Sequence, residues 1–248
     1  MSSGELPATR DRVLDGARLE PGDDVLDLRP GTGLLTFGAH ERVGDGWVFA
    51  VDPSVDVLEE LLRGAHEASL PGVMYLIGDA EVIPLPDESV DAAVTRSALM
   101  DVDDIRVAAS ELHRVLRPGG RVSFYGPIKR KGTPIAPTVD WSPLGGELAQ
   151  RAAEEWEAVV TSDPLLRLDD EELTEALAAA GFDDVTVDCE VLEDVREIEP
   201  STVDSLREQW RQGLGEEATD ALVARLHSLA GQTIVFRRPQ AWVTARRI

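Results

Sequence analysis

Residues 25–33 read VLDLRPGTG. A short apolar run closes on an acid, and a glycine-containing turn follows at once. That is how a parallel strand feeds a ligand-binding loop at the crest of an α/β sheet. Arg29 stands where such loops usually carry their first glycine. The segments around this stretch decide what the loop belongs to.

Downstream, the pattern repeats. WVFAVD (47–52) is a second buried strand ending in an acid, and VMYLIGD (73–79) is a third. VDAAVT (90–95) and RVSFYG (121–126) read as a fourth and fifth strand. Segments 33–43, 55–68 and 103–116 have helical spacing, as does an amphipathic stretch near 7–19. Strand and helix alternate in short periods, which predicts a parallel sheet with helices on both faces.

The second half changes character. Residues 127–145 are proline-rich and irregular; helices are predicted near 145–161 and 169–180. VTVDCEVL (185–192) alternates as a strand, and a charged helical insertion covers roughly 201–230 with a break near 213–215. QTIVF (232–236) and AWVTARR (241–247) close the chain as two strands separated by Pro239. No repeat and no linker divides the halves. The expectation is one domain over 1–248 with cap insertions at about 127–160 and 194–230.

Composition narrows the partners. The formal net charge is −23, from 24 Lys+Arg against 47 Asp+Glu. Such a surface repels nucleic-acid phosphates and anionic lipid, so neither is expected as a partner. No segment has the length of a membrane span and the first residues lack a signal-peptide core. A soluble, cytoplasmic monomer or homodimer is the expectation. Cys189 is the only cysteine, so a cysteine-rich metal site is excluded and no metal is expected.

The loop's charges then select a ligand. A dinucleotide fingerprint starting at Gly31 gives GTGLLT, with Thr36 at its third required position. Asp27 at the mouth of the strand would oppose a pyrophosphate, which counts against a nicotinamide dinucleotide. One strand-end acid alone reads as a helix cap or solvated turn. Three of them, Asp27, Asp52 and Asp79, suit a ligand with cationic groups and ribose hydroxyls. S-adenosylmethionine (SAM) has an ammonium, a sulfonium and a ribose, and no phosphate. Asp52 falls 19 residues after Gly33, near the usual offset for an acid that accepts from ribose hydroxyls.

Four blocks together carry a resemblance: VLDLRPGTG, VFAVDPS, LIGDAEVIPLPDESVDAAVTRSALMDVDD and ELHRVLRPGGRVSFYGPI. In order and spacing the chain resembles the class I SAM-dependent methyltransferases of the small-molecule type. The resemblance implies a Rossmann-like, seven-stranded, mostly parallel sheet with an antiparallel last strand. It implies Gly31 and Gly33 beside the methionine part of SAM, with Asp27 and Arg29 at the same loop. It places Asp52 on the ribose hydroxyls, Pro53 and Ser54 beside the adenosine, and Asp79 and Ala80 at the adenine. Arg96 would stand near the transferred methyl. It also implies a methyl-transfer enzyme acting on a small-molecule acceptor, plausible in specialised metabolism.

Two departures from the pattern stand out: Arg29 for glycine, and a short segment before the first strand. Pro30 restricts its predecessor to extended conformations, so Arg29 is expected at negative φ, on the same side as Asp27. From there it pairs with Asp27, reaches the SAM carboxylate, or fills the methionine subsite. The last outcome would leave a methyltransferase fold in a ligand-binding or non-methylating role.

Around the acceptor, Asp101 follows the fourth strand where it could orient or deprotonate an acceptor, or simply begin the next helix. Tyr125 ends the fifth strand, facing the crevice or packing on an aromatic neighbour. Lys129, Arg130 and Lys131 follow it and could steer an anionic acceptor. Trp141, Trp156 and Trp210 lie in the insertions, as pocket lining or cap core, and His113 reads as helix surface. With its walls drawn from weakly patterned insertions, the acceptor stays unspecified.

Overall fold

β1 (Val25–Leu28) sits at the centre of the sheet, pairing in parallel with β2 (Val48–Asp52) on one side and β4 (Val90–Arg96) on the other. The computed structural model describes residues 5–68, 70–100, 102–128, 141–162, 169–199, 203, 207 and 216–248. Four consecutive buried positions in β1 are what a central strand covered on both faces requires. β3 (Val73–Ile77) extends the sheet beyond β2, and β5 (Leu116–Pro127) pairs with β4.

The far side is antiparallel. β7 (Thr233–Arg247) lies between β5 and β6 (Phe182–Glu197), antiparallel to both, giving the order β3-β2-β1-β4-β5-β7-β6. The seven strands, parallel apart from the last, are the architecture the sequence predicts. The reversal of order beside β1 places a crevice over the carboxyl ends of β1 and β4.

Two apolar layers flank the sheet. On one face α1 (Glu5–Ala17) and α2 (Leu34–Val43) pack Val13, Leu14, Leu35 and Ala39 against Val25, Val48 and Val94. On the other, α4 (Ile105–Val115) and α6 (Asp170–Ala179) pack Leu112, Leu173 and Leu177 against Leu26, Leu28 and Phe124. Alternation in β1 thus sends residues 25 and 27 towards α2, and residues 26 and 28 towards α4. α3 (Val55–Glu67) follows β2, its N-terminus capped by Ser54, whose hydroxyl accepts from the Val57 amide.

The closing segments differ from the sequence expectation. β7 is one continuous strand through Pro239 rather than two. Pro239 pairs with Val191 of β6, one position past Pro127↔Gln240, where pairing with β5 ends. There the missing proline N–H leaves no ladder bond unmade on the β5 side. β6 likewise runs well beyond the predicted 185–192, because β7 gives it a partner along its whole length.

The insertions form a separate small core. Trp141, Leu144 and Ala152, the last on α5 (Gly146–Ser162), cluster with Ile198, Val203 and Leu222 of α7 (Glu216–Ser228). Trp141 is therefore cap core. Lys129, Arg130, Lys131 and Trp210 lie outside the described residues, as does the Trp156 side chain.

Candidate functional site

The strand-end acids occupy three neighbouring strands and have three different environments. Asp27 is fully buried beneath the N-terminal turn of α2, where Thr36 Oγ1 donates to its Oδ2 at 2.6 Å. Its Oδ1 is buried without a hydrogen-bond partner. Burial pushes the Asp27 carboxyl up to about 7, opposed by the Thr36 hydrogen bonds and by the charge of Arg96. Leaving such an acceptor unsatisfied costs about 1–3 kcal/mol. The arrangement favours a cationic donor arriving from the crevice.

Asp52 ends β2 with only 6% exposure, and its Oδ1 accepts from the Ser54 amide at 2.9 Å. That contact fixes the carboxylate at the start of α3 and leaves its second oxygen available to a hydroxyl pair. Pro53 carries the chain between them. Asp79 follows β3; its Oδ1 accepts from the Ala80 amide at 2.6 Å, and the backbone bridges to Val82.

The 79–85 loop is clamped from α4. Glu111 accepts from the Ile83 amide, while Arg114 donates to the Ile83 and Leu85 carbonyls. Arg114 also holds the Glu111 carboxyl below its ordinary range by hydrogen bonding. Ala80 is buried within the resulting hydrophobic layer.

Between these acids lies the glycine turn. Gly31 has φ 55 and open space where a side chain would stand; Gly33 has φ 90 and caps α2. A Cβ on Gly33 would come within 2.6 Å of Leu61 Cδ1 and 2.7 Å of Phe37 Cε2. Only glycine lets the turn approach α3 this closely. Gly33 gives the start of α2 no side-chain cap, so its N-terminus suits a carboxylate.

Arg29 departs from expectation. Its φ is 52, in the left-handed region. Its amide still donates to Val51 O at 2.8 Å, so the strand ladder fixes one side of the residue and the glycine turn fixes the other. Those two constraints override the pre-proline preference for extended backbone, at a strain of about 1–3 kcal/mol. Of the three destinations open to the side chain, the ion pair with Asp27 is not formed. The side chain crosses the crevice instead, placing Nη2 3.4 Å from Asp79 Oδ2.

A cleft of about 340 Å³ adjoins Gly33, lined by Leu6, Arg10, Thr32, Phe37 and Arg96 among others. Among the described residues its walls come from α1, the glycine turn, α2 and the end of β4. Leu6 and Arg10 carry no pattern in the sequence that marks them for this place beyond the amphipathic spacing of α1. Arg96 stands exposed at the end of β4, close enough to influence Asp27.

Of the acceptor-side candidates, Tyr125 is 3% exposed and packs on Trp242 at 4.4 Å between ring centroids, in the layer under α1. It takes the aromatic-packing role instead of facing the crevice. His113 packs edge-on against Phe182. Asp101 lies outside the described residues.

Comparison with known proteins agrees with this geometry. Residues 26–124 match a family described as a methyltransferase domain. The chain is 30% identical over 204 residues to the ubiquinone/menaquinone biosynthesis C-methyltransferase UbiE of Caulobacter vibrioides, covering 75% of this chain and 78% of that one. An uncharacterized methyltransferase of Mycobacterium tuberculosis is 48% identical over 100 residues, 40% of this chain. That match spans only 38% of the mycobacterial protein's length. Among solved structures, the [4+2]-cyclase SpnF superposes with a TM-score of 0.58 at 22% identity, covering 97% of this chain and 80% of that chain. The chain belongs to the class I SAM-dependent methyltransferase family.

Proposed function

We propose that the protein is a methyltransferase that takes its methyl group from SAM and delivers it to a small-molecule acceptor. The observation that carries this reading is the set of carboxylates around the glycine turn, above all the buried Asp27 oxygen without a partner. A ligand bringing an ammonium, a ribose diol and an adenine amino group meets Asp27, Asp52 and Asp79 in that order across three adjacent strands. Gly31 leaves room for it, and the α2 N-terminus suits its carboxylate.

When bound, SAM supplies a sulfonium-activated methyl group, so the chain need not provide a nucleophile. Its own part is positioning. Asp27 and the α2 amides would hold the methionine end, Asp52 the ribose, and Asp79 with the Ala80 loop the adenine. Arg96 and the cleft under α1 would align an acceptor against the methyl, and alignment of this kind supplies several kcal/mol of catalysis. We read the chain as one domain whose insertions cap the sheet, working in the cytoplasm. A role in specialised metabolism belongs to the same reading.

Arg29 must move aside from Asp79 for an adenine amino group to reach that carboxylate. The Arg29 and Asp79 side chains are 28% and 37% exposed. An ion pair this open is worth about 0.2–1 kcal/mol, less than a cofactor gains from charged hydrogen bonds at about 1.5–3 kcal/mol each. The Asp79 contact by itself therefore does not exclude the cofactor. A non-methylating role for the same fold is the second reading, favoured by the same Arg29–Asp79 crossing and consistent with a fold that also serves a cyclase.

The test is calorimetric titration of the purified protein with SAM, its demethylated product and NADH. The first two bind and the third does not if the reading holds. Binding of NADH alone would overturn it.

A further inference from the structure

At the end of the sheet opposite the crevice lies a second cavity of about 360 Å³, where α1 ends against the outer strands. Arg18, Arg121 and Arg246 line it with Thr186 and Thr244, and Asp184 is the single acid in the lining. The inner wall is close-packed: a Cβ on Gly16 of α1 would come within 2.5 Å of Ser123 Oγ and 2.9 Å of Thr244 Cγ2. α1 is thus seated directly on β5 and β7, and the cavity opens just beyond its last turn.

The charge here reverses that of the molecule. In a chain of net charge −23, the lining carries a net two positive charges. Arg121 and Arg246 are direct register partners across β5 and β7. Like charges opposite one another in an antiparallel pair are destabilising. Arg12, Arg42, Arg114 and Arg117 each close ion pairs with carboxylates, whereas Arg63, Arg106 and Arg151 stand singly on the surface without one among the described residues. Among the described residues, none of Arg18, Arg121 and Arg246 closes an ion pair. Asp183, in register with Arg246 on its other side, forms none with it, and Asp23, which senses Arg121, accepts from the Glu20 amide. What sets this place apart is the gathering: three arginines, two of them in direct register, line one cavity beside a single acid, an arrangement that an outside anion would neutralise.

We propose that this cavity binds a phosphate group, free or as a small monoester, held by Arg121 and Arg246 with Arg18 closing from the end of α1. Guanidinium groups match a tetrahedral oxyanion by forked hydrogen bonding, and the Thr186 and Thr244 hydroxyls offer further donors. The site is separate from the cofactor crevice: Arg121 pairs with Ala92 near the start of β4, whereas the crevice lies over the carboxyl ends of β1 and β4. It stands whether or not SAM binds.

The test is calorimetry of the full chain with inorganic phosphate and with glycerol 3-phosphate, at an ionic strength held constant with chloride. One saturable site is expected, weakened at least about tenfold by Arg121→Gln combined with Arg246→Gln. SAM affinity is expected to stay unchanged in that variant. Tighter binding of the ester assigns the site to organic phosphates, and equal or tighter binding of the free ion assigns it to phosphate itself; both support the proposal. If the double variant fails to fold, Arg18→Gln, outside the strands, carries the same expectation at smaller size. No saturable binding of either probe overturns the proposal, as does binding that survives the substitutions.

Discussion

Arg29 at the end of β1 reaches over β2 to Asp79 beyond β3, an ion pair with Nη2 3.4 Å from Oδ2. The pair spans the crevice in which Asp52 stands, so it lies across the path an adenosine would take. Its exposure limits the worth of this contact to about 0.2–1 kcal/mol, too little by itself to bar a charged ligand. Removing the acid tests one end of the pair. Asp79→Ala is expected to weaken SAM binding by about 1.5–3 kcal/mol while costing the fold under about 1 kcal/mol. Calorimetry and urea denaturation read the two effects, and unchanged SAM affinity would take Asp79 out of the adenine role.

Asp27 sets a pH dependence on cofactor capture. Burial raises its carboxyl to about 7. An ammonium group can be held only by the carboxylate form, so SAM affinity is expected to fall as pH drops below about 7, by up to about tenfold per unit. Titrations at pH 6 and pH 8 measure this, together with proton release on binding near pH 7. Equal affinities at the two values would mean Asp27 does not meet the cation.

The same residue affects stability with the opposite preference. Unfolded, Asp27 titrates near its ordinary 3.8; folded, it holds its proton to about 7. Between those values the folded state binds the proton that the unfolded state has lost, so this contribution to stability declines as pH rises and is flat above about 7. Asp27→Asn keeps an acceptor for Thr36 and removes the charge. It is expected to raise the melting temperature at pH 8, by about 2–4 °C for each kcal/mol recovered, while weakening SAM binding. A variant less stable than the parent at pH 8 contradicts this account of the buried charge.

Asp52→Ala is expected to weaken SAM binding by roughly 1.5–3 kcal/mol, the worth of hydrogen bonds to a charged group. The Ser54 amide loses its acceptor in the same variant. Binding of free methionine separates the effects, since that ligand lacks the whole adenosyl group and makes no ribose contact. A loss of SAM affinity matched by an equal loss for methionine would indicate a displaced loop rather than a lost ribose contact.

Gly33→Ala is expected to destabilise the fold by about 1–3 kcal/mol, from a non-glycine residue at φ 90 and a Cβ pressed on Leu61 and Phe37. Urea denaturation of the variant measures it. A change within a few tenths of a kcal/mol would show that the turn relaxes freely.

Much of this was legible in the sequence because strand ends and helix starts carry local signals. Asp27, Asp52 and Asp79 each close an apolar run, and the helical spacing at 55–68 and 103–116 is that of α3 and α4, which the structure caps with Ser54 and Asp104. The misreadings occur where tertiary pairing overrides local chemistry. Pro239 looks like a break, yet β6 supplies a partner beyond the end of β5 and the strand continues. Arg29 before proline looks extended, yet a ladder bond on one side and two positive-φ glycines on the other hold it left-handed. Its Asp79 partner lies 50 residues away, and no spacing rule connects them. Tyr125 lies on β5 as predicted, although the strand runs on to Pro127, and its aromatic partner Trp242 comes from the antiparallel β7.

The central claim is that this chain still takes SAM despite Arg29. Side-by-side calorimetric titration of the parent protein and Arg29→Gly with SAM tests it most directly. Binding to both is expected, with the variant's affinity unchanged or weaker by up to roughly 3 kcal/mol if Arg29 contributes a charged hydrogen bond to the cofactor. Binding that appears only in the Arg29→Gly protein would contradict the account and put the non-methylating reading in its place.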